Sequence, residues 1–148
     1  MSDYLAVMSR AILQAGVSWA QIDRQWDKLE AAFEGFDPAR VSRYGGRDLD
    51  RLKGLVAVRH RTRKIGAIVQ NAKVLLELQE QPGGVAAYLR SFSDYAALSG
   101  DVKRRFALVG DISAYYFLFR VGAEVPPFKR WIKTVEGEHP RVREMVGG

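Results

Sequence analysis

The sequence predicts an all-α fold, a single compact domain of about eight helices. Apolar residues recur at helical spacing along the chain, and no run of residues alternates as a strand would. No repeat, low-complexity block or Ser/Pro-rich linker divides the chain. With 148 residues, 47% of them hydrophobic, the chain can bury a core without disulfides or a metal. We expect a helical domain over residues 1–136 and a polar tail over residues 137–148.

Three helices are expected in the first third of the chain. The first spans Tyr4–Leu13, where Leu5, Met8, Ile12 and Leu13 form an apolar stripe. Ser18 and Gln21 have the spacing of a capping box, so a second helix should run from there to about residue 33. Asp37 and Pro38 then suit the cap and first position of a short helix that ends near residue 44.

The rest of the chain continues in helices. After a short helix near residues 48–53, the longest is expected over residues 63–79, and Pro82 with the two glycines that follow ends it. Its apolar stripe comprises Ile65, Ile68, Val69, Ala72, Leu75, Leu76 and Leu78. Further helices are predicted over residues 85–92, 101–106, 111–121 and, after Pro126 and Pro127, 128–135.

Composition excludes several classes of protein. Without Cys the chain has no disulfide framework, no thiolate nucleophile and no Cys-ligated zinc or iron–sulfur site. No apolar run approaches the roughly 18–20 residues that cross a bilayer, and the first residues lack a signal-peptide pattern. We therefore expect a cytoplasmic monomer with no cofactor, no bound metal and no membrane partner.

The positive charge is concentrated in one segment. The chain carries a formal charge of +6, yet residues 40–64 contain nine basic and two acidic residues and alone carry +7. Such a segment on a nearly neutral body is typical of a surface that binds a polyanion. A solvated, Arg-rich helical face is the alternative interpretation.

A second candidate for anion binding lies between the helices predicted over residues 101–106 and 111–121. Leu108, Val109 and Gly110 connect them, just after the basic residues 103–105. A helix, an apolar turn containing Gly and a second helix form a helix–hairpin–helix, in which backbone N–H groups at the turn face a DNA phosphate. An ordinary turn between two helices would have the same pattern.

Several segments in one order resemble a known family. They are Gln14–Trp19, Ala32–Pro38, Arg59–Arg61, Lys64–Ile65, Asn71–Ala72 and Lys103–Gly110. Over residues 4–122 the chain resembles the bacterial DNA-3-methyladenine glycosylase I family, within the helix–hairpin–helix DNA glycosylase superfamily, as a divergent member. The resemblance implies a helix–hairpin–helix glycosylase fold. It also implies hydrolysis of the N-glycosidic bond of alkylated bases, of the 3-methyladenine kind, in double-stranded DNA, which is base-excision repair.

The resemblance implies site residues as well. Trp19 would stack on an extruded base, with Phe36 as a second wall of the pocket. Apart from the resemblance, core packing is the more common role of a Trp at a helix start, and a hydrophobic staple is the alternative role for Phe36. The residues expected to contact DNA are Arg59, Arg61, Arg63, Lys64, Lys103, Arg104, Arg105, Leu108, Val109, Gly110 and Ser113. The family's zinc site uses Cys residues, which this chain lacks, so no metal is expected.

Two departures from the family bear on catalysis. Ala11 occupies the position of the family's base-recognising Glu, and the family's N-terminal segment with its pocket Tyr is missing from this sequence. The catalytic residue is therefore unassigned, with Glu124 as one possible substitute. The main hypothesis is a glycosylase, and the alternative is a catalytically silent DNA-binding or damage-sensing module; an interaction protein without a nucleic-acid role is a third possibility. A carboxylate beside Trp19, such as Asp23 or Asp27, would favour the enzyme.

Overall fold

The computed structural model describes residues 3–135, and within that range it contains helices and no strand. The all-α prediction is confirmed. Nine α-helices follow one another in this part of the chain: α1 (Tyr4–Gln14), α2 (Trp19–Ala32), α3 (Pro38–Val41), α4 (Gly46–Leu55), α5 (Arg61–Glu80), α6 (Gly84–Leu89), α7 (Tyr95–Arg105), α8 (Asp111–Arg120) and α9 (Phe128–Trp131). Short 3₁₀ turns occupy residues 34–36 and 132–134.

Local capping explains where α2 and α3 begin. Ser18 Oγ accepts a hydrogen bond from the backbone N–H of Gln21 at 3.1 Å, and Asp37 Oδ1 accepts one from the N–H of Ala39 at 3.0 Å. Both caps satisfy N–H groups that a helix start leaves without a partner, and Pro38 takes the first position, where no N–H is needed. These starts agree with the sequence-based predictions.

Helix α5 lies at the centre of the fold. Packed against it are α1, α3, α4 and α6, while α1 also packs along α8. Its inward face is fully buried at Ile68, Ala72 and Leu75. This arrangement makes α5 the support for two neighbouring regions, the turn between α1 and α2 and the turn between α7 and α8.

Several helix boundaries differ from the predictions. Helix α7 begins at Tyr95 rather than near residue 101, because Asp94 caps it through a 2.8 Å hydrogen bond from the N–H of Ala97. Helix α3 ends at Val41, and the last predicted helix is one turn of α-helix followed by a 3₁₀ turn. The predicted polar tail over residues 137–148 lies outside the described residues. Across residues 3–135, no helix is both long and apolar enough to cross a membrane.

Candidate nucleic-acid interface

The turn between α7 and α8 has the shape that the sequence predicts for a hairpin. Leu108 adopts a left-handed backbone with φ of 56°, and its side chain is exposed at the tip. Val109 points inward and is buried, so its contribution to a surface comes from its backbone. Gly110 then caps α8 in an extended conformation.

Asn71 of α5 holds this turn in place. Its side-chain Oδ1 accepts from the N–H of Ala107 at 2.7 Å, and its Nδ2 donates to the carbonyl of the same residue at 3.1 Å. Asn71 is fully buried, and both the oxygen and the nitrogen of its side-chain amide form hydrogen bonds with this one residue of the turn. The segments that carry the family resemblance include Asn71, but the resemblance implies no role for it. Its position among the apolar residues of the predicted α5 stripe was the available signal.

The start of α8 leaves donors facing outward. The N–H groups of Asp111, Ile112 and Ser113 have no acceptor within the helix, as at any helix start. A Cβ placed on Gly110 would meet no atom of the described chain within 4 Å, so the surface beside these donors is open. Open N–H groups at the positive end of a helix dipole are suited to a phosphate.

The three cations before the hairpin are paired within the protein. Lys103 Nζ donates to Asp111 Oδ1 at 2.6 Å, while Arg104 and Arg105 both pair with the buried Asp101. Burial opposes ionisation of Asp101, yet hydrogen bonds from Tyr88 and Arg105 hold the pKa of its carboxyl below the ordinary value. These pairs reduce the charge that the three residues present to solvent. The hairpin therefore presents mainly backbone donors to solvent.

The start of α5 supplies unpaired positive charge instead. Arg61 and Arg63 are exposed, and neither makes an ion pair within the described range. Together with Val58, His60 and Thr62 they line an open depression of about 470 Å³. The first turn of α5 contains no acidic residue. Cations at a helix start oppose the helix dipole, so helix stability does not explain this placement, whereas a bound phosphate would relieve the conflict.

Lys64 does not belong with these surface cations, and this corrects its assignment as a DNA contact. Its side chain is 4% exposed, and its Nζ donates to the carbonyl oxygens of Leu13 at 3.0 Å and Ala15 at 2.6 Å. Burial, and secondarily the charge of Arg59, lower the pKa of the Lys64 ammonium. Lys64 therefore fixes the end of α1 and the turn that leads to Trp19.

Trp19 is half-buried in a cluster of aromatic and charged side chains. Its ring meets Tyr116 of α8 edge to face, with centroids 5.6 Å apart. The Arg10 guanidinium lies over it, with Cζ 4.5 Å from the Trp19 ring centroid and 4.9 Å from that of Trp26, and pairs with Asp23. Asp23, one helical turn from Trp19, is therefore one of the two carboxylates whose presence here would favour the enzyme hypothesis. We call these five residues the Trp19 cluster.

The neighbours of this cluster clarify two sequence-based assignments. Ala11 is fully buried and packs against Tyr116, so that position is apolar. Phe36 is 3% exposed and stacks between Trp26 and Phe33, with centroids 5.3 and 4.9 Å away. Phe36 is therefore a core residue that supports Trp26, which corrects its assignment as a pocket wall.

Sequence reasoning missed the roles of Arg10 and Trp26. The signal for Trp26 was its spacing, because Trp19, Asp23 and Trp26 are separated by four and three residues and share one face of α2. Arg10 gave no such signal, since only the packing of α1 against α2 brings it over the indole rings. Glu124, the other carboxylate considered, is exposed in the segment after α8.

These features indicate a class of protein. A hairpin with open backbone donors beside a basic helix start is suited to binding the phosphates of a nucleic acid, as in a helix–hairpin–helix protein. Comparison with known proteins identifies the family.

Residues 4–105 match the methyladenine glycosylase family. The chain is 26% identical over 131 residues to a DNA-3-methyladenine glycosylase of Haemophilus influenzae and 28% identical over 131 residues to DNA-3-methyladenine glycosylase 1 of Escherichia coli. Each comparison covers 74% of this chain and 70% of the relative. The structure of 3-methyladenine DNA glycosylase I from Staphylococcus aureus matches with a TM-score of 0.65 at 25% identity, covering 78% of this chain and 72% of that one.

The chain belongs to the methyladenine glycosylase family, and the resemblance inferred from its motifs is confirmed. Its relatives and structural neighbours are base-excision repair glycosylases, which supports that function at the level of the family. Over residues 3–135, no three His, Asp or Glu side chains lie close enough to hold a metal ion.

Proposed function

We propose that this protein is a base-excision DNA glycosylase that hydrolyses the N-glycosidic bond of 3-methyladenine-like bases in double-stranded DNA. It would act as a cytoplasmic monomer without a cofactor. The observation that carries the proposal is the contact between Trp19 and Tyr116, because it joins the base-stacking candidate to the helix whose start would grip DNA. A rise of about 1.5 Å per residue along α8 places Tyr116 within about 8 Å of that start.

Phosphates would be bound at two places. The N–H groups at the start of α8 would hold one phosphate, with Gly110 allowing close approach and Leu108 at the exposed tip of the turn. Arg59, Arg61 and Arg63 would bind the backbone beside the start of α5. The Arg59 side chain lies alongside Gly16 in the turn before Trp19, so the two regions adjoin.

The chemistry follows from the charge of the damaged base. A base methylated on a ring nitrogen is cationic in DNA, so the electron pair of the breaking bond to C1′ neutralises it as it departs. Water adds to C1′ and releases a proton to solvent, leaving an abasic site. A strong general base is not required for this leaving group, and a pocket that extrudes and orients the base supplies much of the rate. The Trp19 indole would stabilise the cationic base by stacking.

A catalytically silent, lesion-binding module is the second candidate, and one observation favours it. The face of Trp19 is covered by Arg10, and Ala11 offers neither charge nor a hydrogen bond. Such a module would bind damaged duplex DNA in preference to intact DNA and yield no abasic sites.

A single-turnover assay on methylated duplex DNA separates the two candidates. The glycosylase releases 3-methyladenine above the rate without protein, and Trp19→Leu reduces that release at least about tenfold because the stacking surface is lost. Arg24→Ala, at an exposed position of the same helix, serves as the matched control and should leave the rate unchanged. Binding without release would support the silent module.

A further inference from the structure

The Arg10 guanidinium, a flat cation, lies between aromatic rings and a carboxylate. Two indole rings lie within 5 Å of its Cζ, and the carboxylate of Asp23 accepts from its Nη2. Trp19, Asp23 and Trp26 project from the same face of α2, so one helix supplies both the aromatic rings and the carboxylate.

The same groups would suit a methylated purine. A guanidinium is planar, delocalised and positively charged, with N–H donors in its plane. Adenine methylated on a ring nitrogen in DNA is also planar and positively charged, and its amino group donates in the plane. Both cations stack on an indole face and donate to a carboxylate by the same interactions.

Arg10 is incompletely satisfied where it lies. Its Nε is buried and has no hydrogen-bond partner in the described part of the protein. Burial lowers the pKa of the guanidinium, and the charge of Arg120 acts in the same direction. The Asp23 side chain, in contrast, is 54% exposed and open to a second donor. Burial in this pair is therefore unfavourable for Arg10, whereas Asp23 can accept a hydrogen bond from another cation in its place.

We propose that Asp23 is the carboxylate that recognises the damaged base, and that Arg10 occupies the base position until the base displaces it. This inference rests on the proposed function, because it assigns residues to the pocket of the same reaction. Asp23 would contact the base directly and determine specificity, whereas Arg10 would be an internal competitor. A neutral, undamaged base would gain less from the indole and the carboxylate and would displace Arg10 less readily.

Binding of the 3,9-dimethyladeninium ion to the full chain, followed by tryptophan fluorescence with neutral 9-methyladenine as the comparison ligand, tests this assignment. The methyl group on N9 takes the place of the sugar and keeps the base positively charged. Arg10→Ala should raise the affinity for this cation about tenfold, because no internal cation competes for Trp19 and Asp23. Asp23→Asn should lower it about tenfold, because a charged acceptor is lost. The double variant should bind more tightly than Asp23→Asn alone, because Trp19 is uncovered, and more weakly than Arg10→Ala alone, because the charged acceptor is lost.

Control variants separate recognition from a structural ion pair. Asp27→Asn and Arg24→Ala remove charges from exposed positions of α2 and should leave the affinity unchanged. A purely structural pair predicts that Arg10→Ala and Asp23→Asn lower the melting temperature alike and that neither raises affinity. Arg10→Gln keeps most of the side-chain stem and provides a second variant in case Arg10→Ala is poorly folded.

The two proposals fail in different ways. The inference is overturned when neither Arg10 variant raises the affinity for the 3,9-dimethyladeninium ion, or when Asp23→Asn binds it as tightly as the unaltered protein. Release of 3-methyladenine from methylated duplex DNA is measured separately and reports on excision. The expected changes in binding without any release would support the base site and contradict the proposed glycosylase activity.

Discussion

Two regions that meet on α8 are built in different ways. The hairpin at the start of the helix is fixed by a buried side chain, Asn71, and presents backbone N–H groups. The Trp19 cluster, which packs on Tyr116 farther along, presents an indole ring, a guanidinium and a carboxylate. A backbone site tolerates changes in the exposed residues around it, whereas a side-chain site changes its chemistry with each substitution.

Under the proposed function, this difference would allow a divergent member of the family to keep phosphate binding while its base selection changes. In the proposed function, the hairpin depends on the open space at Gly110, where a phosphate would approach, and on the buried amide of Asn71 behind it. The proposed base site would depend on a particular set of rings and charges, which here includes Arg10 and Asp23 beside a buried Ala11. Phosphate binding should therefore depend on few side chains, and base selection on several.

Asn71→Ala should produce the largest loss of stability, because it removes the side chain that holds the hairpin in place. The substitution leaves the part-buried N–H and carbonyl of Ala107 without their side-chain partners, which costs about 1–3 kcal/mol of unfolding free energy. Denaturant unfolding measures this loss. Gln70→Ala, at the exposed neighbouring position, is the control and should change stability by less than about 0.5 kcal/mol. A similar loss for both variants would contradict the role given to Asn71.

Lys64→Met should weaken the other region through the turn before Trp19. It removes two hydrogen bonds to the carbonyls of Leu13 and Ala15, while it also relieves the burial of a charge. We expect a net loss of about 1–2 kcal/mol in unfolding free energy. The salt dependence of DNA binding should not change, because the ammonium does not face solvent. A shallower salt dependence would show that Lys64 contacts phosphate.

Gly110→Ala tests the hairpin region further, because it should lower the affinity for DNA while changing the stability of the fold only slightly. The new methyl group meets nothing in the described chain but projects where a phosphate would approach, so affinity for duplex DNA should fall about tenfold. Stability should fall by only about 0.5 kcal/mol, since Ala is the weaker helix cap. Gly100→Ala, within α7, is the matched control: it should stabilise the protein by about 0.5–1 kcal/mol and leave affinity unchanged. Unaltered DNA affinity in Gly110→Ala would argue against phosphate binding at this turn.

Arg61→Ala and Arg63→Ala should each have a smaller, uniform effect on DNA binding. Losing one phosphate contact reduces the slope of log affinity against log salt concentration by about 0.9 for duplex DNA. The measurement is a fluorescence-anisotropy titration at several salt concentrations. The Arg24→Ala control should leave the slope unaltered. If neither Arg variant changes the slope, the basic helix start is a solvated surface.

The sequence predicted most of the fold because its signals were local. Ser18 with Gln21 and Asp37 with Pro38 mark helix starts through contacts that span only two or three residues. The start of α7 was missed although Asp94 carries the same kind of signal, since the helix that follows Asp94 has a weaker apolar periodicity than the helix that follows Ser18. Local capping is readable wherever the helix that follows is clearly amphipathic.

The site was less predictable because its features depend on contacts between distant residues. Lys64 belongs to a run of basic residues in the sequence, yet packing of α5 against α1 directs its ammonium to carbonyl groups 49 and 51 residues away. The aromatic character of Phe36 suggested a pocket, but the neighbouring rings enclose it. Arg10 reaches the indole rings only through the packing of α1 against α2, which periodicity does not reveal.

The single-turnover rate of base release at saturating protein tests most directly whether the hairpin binds phosphate and the Trp19 cluster binds the base. On methylated duplex DNA, Gly110→Ala should recover the rate of the unaltered protein once enough protein is present, because it impairs only binding. Trp19→Leu should remain at least about tenfold slower at every concentration, because it impairs the base pocket. Equal rates for Trp19→Leu and the unaltered protein at saturation, or no release by the unaltered protein, would contradict the account.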